Sequence, residues 1–126
     1  MNKNTNINYT EEYDDIEVFI DIYLQMLNSF VEDEYKLTYK ERQFLVQCVI
    51  YQYNGGQLSD FYDFQDYMMG KKFCSKPNHV SMYKHKLSVK KWVKTSKYKF
   101  LLGKNLNLEK GKDITSQLTI SFKYAK

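Results

Sequence analysis

The chain has almost no proline, alanine or arginine: one of each in 126 residues, with one tryptophan, two cysteines and five glycines. A single proline leaves no Pro-rich linker, and no Gly/Ser tract replaces one, so the length reads as one domain with one modest core. Two cysteines give no disulfide framework, least of all with Cys48 inside the apolar run FLVQCVI and Cys74 in a basic turn. No apolar run is long enough to span a bilayer. The opening MNKNTNINYT is polar and lacks a signal-peptide core, so residues 1–10 are expected to be a flexible tail on a cytoplasmic protein. The glycines form no phosphate-cradling loop, and no serine elbow or paired catalytic carboxylates stand out, so a non-enzymatic protein without a cofactor is expected.

What is abundant is lysine, tyrosine and asparagine. Eighteen lysines accompany the one arginine. These are residues of A/T-rich codons, which points to an A/T-rich genome such as that of a bacteriophage or plasmid, with the host cytoplasm as the compartment. The net charge of +4 conceals a strong segregation. Residues 1–70 hold thirteen Asp/Glu against four Lys/Arg, a net of −9, and residues 71–126 hold fifteen Lys/Arg against Glu109 and Asp113, a net of +13. A surface so polarised attracts polyanions over a Debye length, ~8–10 Å in physiological salt. The same segregation would serve two halves that lie against each other, within one chain or between copies.

Apolar residues recur at Ile16, Phe19, Ile20, Tyr23, Leu27, Phe30 and Val31, the spacing of one helix face, which predicts an acidic amphipathic helix over 13–31 within residues 11–34. Thr38-Tyr-Lys-Glu41 is a capping-box sequence that opens a helix apolar around most of its circumference, hence central and buried. Asn54-Gly55-Gly56 ends that helix. Ser59 is placed to cap a third helix reaching Met69, with Phe61, Tyr62, Met68 and Met69 expected inside. Its Asp60, Asp63 and Asp66 read as a solvated acidic face rather than a cation site.

The fourth helix is predicted over Ser75–Lys90, with Ser75 as cap and Pro77 in the first turn. Val80, Tyr83, Leu87 and the stem of Lys84 fall on one face, and Asn78, Ser81, Met82, His85 and Val89 on the other, flanked by Lys86. Beyond it, KWVKTSKYKFLL contains two short strands, GKNLNLEKGKDITSQ is a polar connection, and Leu118, Ile120, Phe122 and Tyr124 alternate as in a half-buried strand. Trp92 is expected as a core anchor beneath the strands. Cys74, His79 and His85 lack a zinc spacing and a fourth ligand.

This order, three helices and a basic helix followed by a hairpin and a strand, resembles the winged helix-turn-helix family of DNA-binding domains over about Lys36–Tyr124, most closely at HVSMYKHKLSVKKWVKT. The fold expected is therefore mainly α with a small β wing, a winged helix-turn-helix with an extra N-terminal helix. Residues 11–126 would form the single domain, and 91–126 the wing and C-terminal strand. Lys91 stands where the family usually has a glycine, so that turn must take a less favourable conformation or another geometry.

The resemblance implies that Ser59–Met69 positions the Ser75–Lys90 helix in the major groove of double-stranded DNA. Asn78, Ser81, Met82 and His85 would face bases, while Lys76, Lys84, Lys86, Lys90, Lys91, Lys94, Lys97 and Lys99 would face phosphates. Such domains act as transcription regulators, replication initiators or packaging factors. No membrane partner and no small-molecule ligand is expected, and helix 13–31 could pair two copies. The competing expectation is a protein-interaction or virion-structural module that self-associates through its acidic and basic halves.

Overall fold

A computed structural model describes residues 2–7, 15–71, 74–96, 99–108 and 118–123, with side chains placed for 15–108 of these apart from Phe61. The chain is mainly helical. Helix α1, Ile16–Ser29, begins at Asp15, whose Oδ1 accepts from the amides of Glu17 and Val18 at 2.9 and 3.3 Å. Helix α2, Tyr39–Tyr53, opens on the expected capping box: Thr38 Oγ1 accepts from Glu41 N, and Glu41 Oε1 accepts from Thr38 N at 2.7 Å. Seven consecutive residues, Phe44 to Ile50, are buried, so α2 is the central rod around which the molecule packs. It stops at Gly55, which takes φ +91°, while the amides of Gly55 and Gly56 return to Gln52 and Tyr51 carbonyls. That is the Schellman pattern that glycine favours.

Helix α1 packs on α2. Ile20 and Leu24 are fully buried, and Ile16, Phe19, Tyr23, Leu27 and Val31 rest against the core. Phe30, assigned to the inner face by its spacing, is instead 68% exposed. It is the C-cap, where the chain leaves the helix and the regular rotation of side chains ends. The expected start at Tyr13 lies outside the described residues. A 3-10 turn at Asp33–Tyr35 leads to Leu37, whose backbone N–H and C=O are both taken by the side-chain amide of Asn28.

Helix α3, Phe61–Gly70, is capped by Asp60 and not by Ser59. The Ser59 hydroxyl is occupied elsewhere: it accepts from Phe100 N at 3.1 Å and so ties the start of α3 to the hairpin. Phe64 and Met68 are the buried residues of α3, Met69 is half-buried, and Tyr62 is 77% exposed. Phe64 and Met68, four apart, share one helix face and turn inward together, which sends Tyr62, two positions before Phe64, outward.

Helix α4, Pro77–Val89, has Lys76 and not Ser75 at its N-cap, without a side-chain capping bond, and Pro77 as first residue. Strands β1, Asn2–Ile7, β2, Val93–Ser96, β3, Lys99–Leu102, and β4, Leu118–Lys123, complete the fold. Strands β2 and β3 form an antiparallel hairpin that pairs Val93 with Leu102 and Ser96 with Lys99. Val93, Phe100 and Leu102 enter the core, and Phe100 stacks on Phe64 with ring centroids 5.8 Å apart. Trp92 is buried, as expected, and donates its indole N–H to the Tyr35 carbonyl at 2.7 Å.

The amino-terminal residues depart from the tail expected at 1–10. Strand β1 pairs antiparallel with β4, from Asn2 opposite Lys123 to Ile7 opposite Leu118. The alternating final segment is thus a strand, but its partner is β1 and not the β2–β3 hairpin. Polar side chains do not prevent this, because ladder hydrogen bonds come from the backbone. Tyr124 lies outside the described residues.

The turn from α4 to β2 confirms the strain expected at Lys91. Lys91 has φ +65°, and the amides of Lys91 and Trp92 return to Ser88 and Leu87, a second Schellman motif with lysine where glycine normally sits. A left-handed non-glycine residue costs about 1 kcal/mol, and glycine's greater freedom in the unfolded chain offsets part of the relief. Lys91→Gly is therefore expected to raise stability by about 0.5 kcal/mol, read as a higher urea midpoint at an unchanged m-value.

Candidate nucleic-acid interface

Between Asp66 and Glu109 the chain contains no carboxylate side chain. Helix α4 and the hairpin both lie in that interval. On α4, Val80 and Leu87 are fully buried, while Tyr83 and Lys84 are half-buried. The opposite face exposes Asn78, Ser81, Met82, His85 and Val89. Their spacing of three and four residues makes one strip roughly 16 Å long. The strip is neutral, offers amide, hydroxyl and imidazole groups, and includes a methionine of adaptable shape.

The lysines assigned to phosphates divide into three groups. Lys76, Lys86, Lys91, Lys94 and Lys99 are exposed. Lys76 precedes the strip, Lys86 flanks it with its ammonium 5.7 Å from the Tyr83 ring centroid, and Lys91 follows it, 5.2 Å from that of Tyr35. Lys94 and Lys99 occupy the outer face of the hairpin, opposite the side that sends Val93, Phe100 and Leu102 into the core. The hairpin is held beside α4 by Thr95, whose hydroxyl donates to Ser88 Oγ at 3.1 Å.

Lys90 and Lys84 do not belong with these. Lys90 turns inward and donates to Glu41 Oε1 at 2.6 Å and to the Lys36 carbonyl at 2.7 Å. Glu41 is buried, so Lys90 serves as its counter-ion and is withdrawn from the outer surface. Lys84 lays its stem against the core, with its ammonium 4.9 Å from the Phe100 ring centroid. Burial pushes its pKa below the ordinary lysine value. Lys97 lies outside the described residues.

The acids of α3 border this region. Asp60, Asp63 and Asp66 are exposed, and Asp60 above all, then burial and Asp66, raise the pKa of Asp63. Cys48 and Cys74 are free, buried thiols with pKa values pushed up by burial, so neither is poised as a nucleophile. Among the described residues no group of three or more His, Cys, Asp or Glu could hold a metal ion, and no helix is long and apolar enough to cross a membrane.

Two contributors escaped the sequence reading. Lys104 is an exposed cation beside Gly103, in what read as a polar connection. The Glu41–Lys90 pair joins the start of α2 to the end of α4, and its only sequence signal was the capping box, which accounts for Glu41 without needing a lysine. No protein-family model, no curated protein and no solved structure matches the chain.

Proposed function

We propose that the protein binds double-stranded DNA through α4 and the β2–β3 hairpin, as a winged helix-turn-helix domain to which α1 is an addition. The observation that carries this reading is the neutral polar strip of α4 framed by exposed Lys76, Lys86 and Lys91, in a stretch of sequence without a carboxylate. A major groove admits a helix of this width, and its phosphates flank the helix on both sides. Asn78 offers the donor and acceptor that adenine presents in reverse, Ser81 and His85 reach base edges, and Met82 suits a thymine methyl. Lys94 and Lys99 on the hairpin extend the phosphate contacts. With lysine and not arginine on the face, guanine-rich sites are disfavoured. A regulator of transcription, a replication initiator and a packaging factor all use such binding, and two copies joined through α1 would present two strips.

Fluorescence anisotropy of a labelled random duplex tests the reading. Binding in the micromolar range or tighter is expected at 50 mM salt, about what phosphate contacts alone supply. Selection from a random DNA pool should then yield an enriched motif, and Asn78→Ala should flatten that motif by about 1–3 kcal/mol at one position. No binding at low salt rejects the proposal. Equal weakening of all sequences by Asn78→Ala rejects Asn78 as a base reader.

A further inference from the structure

Helix α4 carries two large apolar side chains on the face it turns to solvent. Met82 and Val89 are 41% and 62% exposed, while Val80 and Leu87 fill the opposite face and are fully buried. One exposed apolar residue is ordinary on any surface. These two stand seven residues apart, two turns of helix, so both project from one line of α4, about 10 Å from each other. Asn78 and His85 share that line, so its order is amide, thioether, imidazole, isopropyl. Polar and apolar groups alternate along it.

The charge beside this line is positive. Lys76 and Lys86 are exposed there, and neither α4 nor the hairpin contains a carboxylate side chain. Exposed acids belong to other elements: Asp60, Asp63 and Asp66 to α3, and Asp33 and Glu34 to the 3-10 turn whose Tyr35 ring meets Lys91. A polyanion is therefore the partner that suits the lysines, but phosphates gain nothing from a thioether or an isopropyl group. Those two need an apolar group lying between phosphates. Among the major-groove edges of the four bases there is one, the C5-methyl of thymine; the other groups are ring nitrogens, carbonyls and amines. We propose that Met82 and Val89 each read a thymine methyl, about three base pairs apart, and that the substrate class is A/T-rich duplex DNA. This rests on the DNA-binding reading above, and adds to it Val89 as a specificity residue and a spacing along the site. The spacing follows from about 10 Å of helix laid along base pairs stacked 3.4 Å apart. Burying one methyl is worth a factor of about four in affinity, and burying two about fifteen.

Fluorescence anisotropy at about 50 mM salt tests this with two labelled duplexes of equal length. One alternates dA and dT, and in the other deoxyuridine replaces every dT. The pair differs in the C5-methyl groups alone, and an alternating duplex offers one such methyl at every base pair. The thymine duplex should bind roughly fifteenfold more tightly. The double variant Met82→Ser, Val89→Ser should bring the two affinities within roughly twofold while leaving the salt slope unchanged, since no phosphate contact is lost. Both side chains are exposed, so its helical circular dichroism should match that of the wild type. Equal affinity of the wild type for both duplexes overturns the proposal and leaves DNA binding standing, with a protein partner as the occupant of the two side chains. A double variant that keeps the full thymine preference overturns the assignment to Met82 and Val89. Absence of binding to either duplex sinks this inference together with the DNA reading.

Discussion

Replacing Glu41 with alanine is expected to lower stability by about 3 kcal/mol, a large share of the roughly 5–15 kcal/mol that holds a domain together. The carboxylate does two jobs at once. Its Oε1 accepts from Thr38 N at 2.7 Å, which completes the capping box of α2, and from Lys90 Nζ at 2.6 Å, which fastens the end of α4. Losing a cap costs about 1 kcal/mol. Leaving Lys90 largely buried with only the Lys36 carbonyl accounts for the remainder. A double-mutant cycle with Lys90→Met should show a coupling of about 1–3 kcal/mol.

The pH dependence separates the ion pair from simple packing. Burial by itself would raise the Glu41 pKa, but Lys90 and the hydrogen bonds from Thr38 outweigh it and hold the group below its ordinary 4.5. The unfolded chain therefore takes up this proton more readily than the folded one. The stabilisation is fully present above pH 4.5 and is lost as the pH falls through the depressed folded value. Urea midpoints of the wild type and Glu41→Ala, far apart at pH 7, should converge in acid. A gap that stays constant down to about pH 3 would show that charge is not its source.

Much of the fold was legible because much of it is local. The Thr38–Glu41 box, the stop at Asn54-Gly55 and the strained turn at Lys91 each depend on residues within a few positions of one another. The two faces of α4 follow from helix periodicity, and the buried run of α2 from apolar residues around most of its circumference. What could not be read depends on distant partners. Ser59 looked like a cap because serine caps helices, yet its hydroxyl meets Phe100, forty-one residues on. Strand β1 was taken for a tail because the opening MNKNTNINYT is polar, and its pairing with β4 spans nearly the whole chain. On α1, the fully buried Leu24 was passed over because Ile20, Tyr23 and Leu27 already described a buried face.

Lysine is the least readable residue of the candidate site, since a long flexible stem lets the same periodic position end in solvent or in the core. Lys86 and Lys90 occupy successive turns of one helix, and only the second finds a buried carboxylate. This difference makes a sharp prediction for binding. At about 0.9 per neutralised phosphate, five exposed lysines give a salt slope near 4.5, so affinity should fall several hundredfold between 50 and 200 mM salt. Lys86→Ala and Lys91→Ala should each lower that slope by about one and weaken binding to every sequence alike. Lys90→Ala should lower the melting temperature while leaving the slope intact wherever the protein is still folded. Should Lys90→Ala cut the slope as Lys86→Ala does, the ammonium must leave Glu41 for a phosphate on binding. The Glu41–Lys90 contact would then be a latch of the free protein that the DNA has to open.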